Sequence, residues 1–168
     1  MEEIPSNCIL SKGTTGCGAT TLATAQNTPT LIAMPFVELI DNKALQFPDN
    51  GDGRPVLLPI YGEGDKTGEI REYMDKHGDL PKIATTYDSV PKVCSILDSL
   101  GYDPYGNKHL CVDEWHTLFN QYSFRNRAIR NLLATAKDFT RVTYMSATPI
   151  ERAYWLEELT DMPEYMIE

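Results

Sequence analysis

Short apolar runs alternate along the chain with segments whose apolar residues recur at helical spacing. The runs Cys8–Leu10, Thr30–Met34, Val56–Ile60, Lys82–Thr85, His109–Val112 and Val142–Met145 are rich in Ile, Leu and Val and read as strands. Between and after them, Thr20–Gln26, Phe36–Leu45, Thr67–His77, Ser89–Leu100, Phe124–Ala136 and Ile150–Leu159 read as helices. That alternation predicts β-α-β units, a mostly parallel sheet and a three-layer α/β/α sandwich. The segment "PDNGDGRP" (48–55) is a surface turn, and the final "DMPEYMIE" places Pro163 after a helix and then begins a strand-like run.

Composition narrows the picture. A chain of 168 residues is long enough for one core and short for two domains, and 42% hydrophobic with 23% charged residues fits a globular protein. No long apolar run and no signal-like N-terminus occur, so no membrane partner and a cytoplasmic location, in a bacterial cell or phage-infected host, are expected. Cys8, Cys17, Cys94 and Cys111 are dispersed without a C-x-x-C pair, which argues against a zinc site or a disulfide framework. The formal net charge of −9 disfavours broad adhesion to nucleic acid, so any phosphate contact must be local.

Three places carry candidate chemistry. The run "CIL" leads into Gly13-Thr14-Thr15-Gly16-Cys17-Gly18-Ala19-Thr20, with Thr21 and a helical segment behind it. Strand, glycine loop and helix in that order suit a phosphate cradle, with Thr20 placed to hold Mg²⁺; a tight strand-to-helix turn would have the same rhythm. Apolar "HLCV" is followed by Asp113, Glu114, Trp115 and His116, two carboxylates at the end of a buried strand. One acid can anchor a metal while its neighbour activates water. Ser146-Ala147-Thr148-Pro149 follows the next strand and suits a hydroxyl relay, a helix cap, or both.

Taken in order, G-x-T-G-x-G-x-T, D-E-x-H and S-A-T resemble the first RecA-like domain of superfamily 2 helicases and translocases of the DExH type, in a divergent phage or mobile-element version. The resemblance extends over nearly the whole chain: "LIAMPFVELIDNK" (31–43) resembles the family's second motif, "LLPIYGEGD" occupies the place of its tyrosine-glycine loop, and "IATTYDSV" (83–90) resembles its T-T-Y element. It implies an ATP-binding, ATP-hydrolysing motor domain acting on DNA or RNA. Gly13, Thr15, Gly16, Cys17, Gly18, Ala19, Thr20 and Thr21 would surround the ATP phosphates, and Thr20 and Asp113 would hold Mg²⁺. Glu114 would activate water. His116, Ser146 and Thr148 would couple the nucleotide site to its partners, and Pro35, Thr85, Thr86 and Tyr87 would lie along the nucleic-acid path.

Two departures matter. Ala19 stands where the family carries its phosphate-binding lysine, and losing such a charge costs several kcal/mol of transition-state stabilisation. Lys12, before the first glycine, is either the substitute or a solvated strand-end lysine. The second RecA-like domain of the family, which supplies arginines to the γ-phosphate, is absent from a chain of this length, so it would have to come from a longer chain or a partner. The rival reading is a helicase-derived module that binds nucleotide, nucleic acid or protein without turnover, such as a viral structural or packaged component. Arg125, Arg127 and Arg130 read as a solvated basic helix face, His77 and His109 as structural or surface residues, and Trp115 as a core-edge residue. Tyr144, Tyr154 and Trp155 are expected to bury a helix against the sheet.

Overall fold

The computed structural model describes residues 2–14, 16–118 and 126–167. Seven strands are found among them: β1 (Cys8–Ser11), β2 (Thr30–Met34), β3 (Leu57–Ile60), β4 (Lys82–Thr86), β5 (His109–Asp113), β6 (Arg141–Ser146) and β7 (Glu164–Met166). The helices are α1 (Ala19–Ala25), α2 (Val37–Ala44), α3 (Thr67–His77), α4 (Val90–Ser99) and α5 (Asn126–Ala136). Every expected strand is present within a residue or two, and the strand-like run after Pro163 becomes β7. Residues 124 and 125 of the last predicted long helix lie outside the described residues.

The strands form one sheet in the order β3-β4-β2-β5-β6-β1-β7, and every pairing is parallel. Alternate side chains along each buried strand feed two separate cores, because a strand's side chains alternate between faces. Ile9, Leu31, Ala33, Leu110, Val112 and Tyr144 meet residues of α3, α4 and α5 such as Ile70, Met74, Val93, Leu97 and Leu132. Their neighbours Leu10, Ile32, Met34, Cys111 and Met145 meet Ala19 and Ala23 of α1 and Ile40 of α2. This is a three-layer sandwich with helices on both faces, as the near-continuous apolar strands require.

The chain leaves β1 through α1 and re-enters the sheet at β2, while β5 and β6 later fill the gap between them. The carboxyl ends of β1, β6 and β5 therefore lie side by side although they are far apart in sequence. In open α/β sheets that edge is where ligands bind.

One predicted helix is not formed. Ile150–Leu159 consists of two short 3₁₀ turns, Arg152–Tyr154 and Glu157–Leu159, with Trp155 extended between them. The Trp155 indole is buried edge-to-face on Trp115 and its ring N–H donates to the Ile150 carbonyl at 3.0 Å. A large ring anchored this way fixes the backbone in a shape that a continuous helix cannot take. Tyr144 and Trp155 are buried as expected, but Tyr154 is 69% exposed, since the 3₁₀ turn points it away from the sheet. His109 is buried, and Arg127 and Arg130 are exposed on α5.

Candidate functional site

β1 ends at Ser11, and the next residue, Lys12, is only 7% exposed. Its ammonium crosses in front of β6 to the tip of β5, 2.7 Å from Asp113 Oδ1 and 2.9 Å from Glu114 Oε1. Burial alone would disfavour the charge, but the Asp113 and Glu114 carboxylates outweigh it and raise the Lys12 pKa. The solvated strand-end reading of Lys12 is therefore incorrect: the residue is the buried counter-charge of the acidic pair.

Asp113 uses both oxygens. Oδ1 takes Lys12 and the Glu114 backbone N–H at 3.0 Å, while Oδ2 accepts from Thr20 Oγ1 at 2.8 Å. Thr20 thus joins the glycine loop to the acidic pair, a contact between residues 93 positions apart. Glu114 adopts φ 52, in the left-handed region that non-glycine residues enter at a cost of roughly 1–2 kcal/mol. That twist ends the strand and turns the Glu114 side chain back beside Lys12.

Ser146, at the end of β6, is the third member of this edge. Its carbonyl accepts the Lys12 backbone N–H at 2.8 Å, and its hydroxyl lies 2.6 Å from His116 Nδ1. The same ring nitrogen is 3.3 Å from Glu114 Oε2, and the Thr148 N–H donates to Ser146 Oγ at 3.0 Å. The expected relay residues His116, Ser146 and Thr148 are thus joined to one another and to Glu114.

In the loop, Gly16 and Gly18 have φ 80 and 86, which side-chain-bearing residues rarely adopt. Gly18 precedes α1 without a side-chain cap, and the first helical bond runs from the Leu22 N–H to the Gly18 carbonyl. The earlier amides of α1 therefore have no acceptor within the helix. Gly13, Gly16 and Gly18 are exposed and Cys17 half-buried, so the loop opens to solvent; Thr15 lies outside the described residues. Ala19 is buried against the core under α1.

The four residues expected along a nucleic-acid path are placed differently from one another. Pro35, Thr85 and Tyr87 are buried, and only Thr86 is partly exposed, donating to Ser89 Oγ at 3.1 Å. Among the described residues Thr85 Oγ1 has no hydrogen-bond partner. The Tyr87 hydroxyl reaches the carbonyls of Asp113 and Glu114.

Sequence reasoning gave Lys43 no role, although it closes the second resembling segment. Its ammonium donates to Thr21 Oγ1 at 3.1 Å, beside the glycine loop. Burial lowers its pKa, opposed by the Asp113 charge and reinforced by Lys12. Nothing in its spacing marked it, because the contact is made between two helices rather than within one.

No protein-family model matches the chain, and no curated protein matches it. Among solved structures it is similar to a DUF1998 helicase, MrfA, determined bound to DNA and AMPPNP. The TM-score is 0.59 at 16% identity, and the match covers 97% of this chain but 25% of that one. The fold is thus helicase-like, an α/β sandwich of the RecA type, and the chain spans about a quarter of the length of the helicase it matches.

Proposed function

We propose that this chain is a nucleotide-binding, ATP-hydrolysing domain of a helicase-type motor that acts on DNA or RNA. The observation that carries the reading is the constellation of Lys12, Thr20, Asp113 and Glu114 on one sheet edge beside an open glycine loop. Here two acids share one lysine, and a hydroxyl from the glycine segment joins them.

The donor set fits Mg²⁺, which prefers hard oxygens and takes one or two protein ligands with the remainder from phosphates and water. Asp113 and Thr20 would hold it. Among the described residues no cluster of three or more acidic, His or Cys ligands occurs. Bound there, the ion would supply positive charge to the nucleotide's phosphates. The chain's own groups then divide the work. Lys12, the cation nearest the acids, would turn toward the phosphates and replace the lysine whose place Ala19 takes. Glu114 would accept a proton from the attacking water, while His116, itself held by Ser146, keeps the second Glu114 oxygen in place.

The MrfA structure was determined with DNA and AMPPNP, which supports nucleotide and nucleic acid as the ligand classes here. A second RecA-like half, in the same polypeptide or a partner, would complete the motor cycle. The binding-module reading draws on Ala19, which leaves the loop without the lysine that the family carries at that position.

Calorimetric titration with Mg-ATP tests the proposal on the wild type, Lys12→Ala and Asp113→Ala. Micromolar binding that weakens in both variants by roughly ten- to a hundredfold, about 1.5–3 kcal/mol, is expected. Absence of binding by the wild type sinks it. Binding that both substitutions leave intact moves the phosphate site away from these residues.

A further inference from the structure

The acidic turn is held by a hydrogen bond that the neighbouring strand cannot supply. In the ladder between β2 and β5, the His109 N–H donates to the Pro29 carbonyl at 2.8 Å, and Thr30–Ala33 pair in register with His109–Val112. A parallel ladder repeats every second residue, and a residue that donates to one carbonyl accepts from the N–H two residues further along its neighbour. Carried forward from His109, the Asp113 carbonyl would accept from residue 35. Residue 35 is Pro35, which has no N–H.

Asp113 is 5% exposed, and a buried carbonyl without a donor costs about 1–3 kcal/mol. Tyr87 meets the need from the turn after β4. Its hydroxyl, on a side chain 1% exposed, donates to the Asp113 carbonyl and lies 3.1 Å from the Glu114 carbonyl and 3.3 Å from Thr117 Oγ1. The Thr117 hydroxyl and backbone N–H both donate to that same Glu114 carbonyl, at 2.9 and 3.0 Å. The left-handed turn at Glu114 is therefore gripped at two successive carbonyls.

We propose that Tyr87 is a positioning residue of the acidic turn: its hydroxyl takes the ladder place that Pro35 leaves open and so sets the direction of the Asp113 and Glu114 carboxylates. The proposal rests on the reading of these acids as the Mg²⁺ and water-handling pair. It gives Pro35 and Tyr87 a joint role inside the protein, in place of the polymer contact their segments suggested. A proline at this point ends the ladder, and a side-chain hydroxyl replaces it with a donor that a shift of the T-T-Y turn can withdraw.

The test is a double-substitution cycle with Tyr87→Phe, Pro35→Ala and the pair, read by ATP titration with and without Mg²⁺ and by denaturant unfolding. Tyr87→Phe is expected to cut the Mg²⁺-dependent gain in ATP affinity by about tenfold while Mg²⁺-free affinity stays within about twofold. A loss of packing alone would lower both affinities together. Adding Pro35→Ala supplies the missing N–H, so the pair should recover most of the gain and of the unfolding midpoint. An unchanged Mg²⁺-dependent gain in Tyr87→Phe, or a pair no better than Tyr87→Phe alone, overturns the proposal. If the wild type binds no ATP, the functional reading falls separately, and recovery or its absence in the unfolding midpoint still decides whether Tyr87 replaces the Pro35 N–H.

Discussion

His109 lies at the start of β5, opposite the candidate site, and its ring is enclosed. Nε2 is 2.8 Å from Thr143 Oγ1 and Nδ1 is 3.2 Å from Gln26 Nε2, whose own Oε1 accepts the Ile4 N–H. The Gln26 amide donates to Nδ1, so the neutral ring carries its proton on Nε2 and donates to Thr143. Burial, with the charges of Arg141 and Lys82 adding, lowers the pKa from 6.5 to about 4. As pH falls below 6.5, the unfolded chain takes up a proton that the folded chain refuses until about pH 4, so stability is lost across that window. The loss should reach on the order of 3 kcal/mol and should shrink in His109→Gln, measured by urea unfolding from pH 7 to 4. A parallel decline in both proteins would show that other groups carry the acid sensitivity. The sequence marked His109 as structural because no metal-ligand spacing surrounded it. It could not mark Lys12 as buried, because the acids that surround that lysine are about a hundred residues away and meet it only through the strand order. Lys43 was hidden because its partner Thr21 lies on a different helix, where spacing within one helix leaves no trace.

Elements built on unbroken apolar runs were legible, since a strand covered on both faces has little choice of residue. Ile150–Leu159 was not: its helical spacing is real, but Trp155 seeks Trp115, and that tertiary contact overrides local preference. The short helix α1 shows a further dependence on distant residues. Lys82, the first residue of β4, is fully buried and donates to the carbonyls of Gln26 and Thr28, both at 2.6 Å, just past the C-terminal end of α1. A cation there is favoured by the helix dipole and satisfies carbonyls that the helix leaves free. Burial lowers the Lys82 pKa from 10.5 to about 8, with Cys111 and Glu3 opposing the shift. Between pH 8 and 10.5 the unfolded chain holds more protons than the folded one, so this residue makes stability rise with pH over that range. Lys82→Met should remove the rise and, at pH 7, cost about 1–3 kcal/mol for the carbonyls left without a donor. Unfolding midpoints of the two proteins from pH 7 to 10.5 check both effects; a variant as stable as the wild type at pH 7 would mean that water replaces the ammonium.

At the scale of the molecule, a helicase-like fold is carried by a chain of net charge −9, and these two facts constrain how it can hold a polymer. Broad attraction to phosphates is disfavoured by the charge balance, and Pro35, Thr85 and Tyr87, three of the four residues expected along the strand, are buried. Arg127 and Arg130 are among the exposed cations and lie on α5, and Thr86 is the expected contact that is partly exposed. If the proposed single-strand contact is as local as the charge balance implies, it depends largely on hydroxyls and backbone amides, which release no counterions. Each phosphate neutralised contributes about 0.7 to the slope of log affinity against log salt on a single strand, so two to four contacts give roughly −1.5 to −3. Anisotropy titrations of a labelled single strand at several salt concentrations should fall in that shallow range, and Arg127→Ala with Arg130→Ala should flatten it by about one unit. A slope steeper than about −5 would mean about seven or more neutralised phosphates and would overturn this picture of few, local contacts.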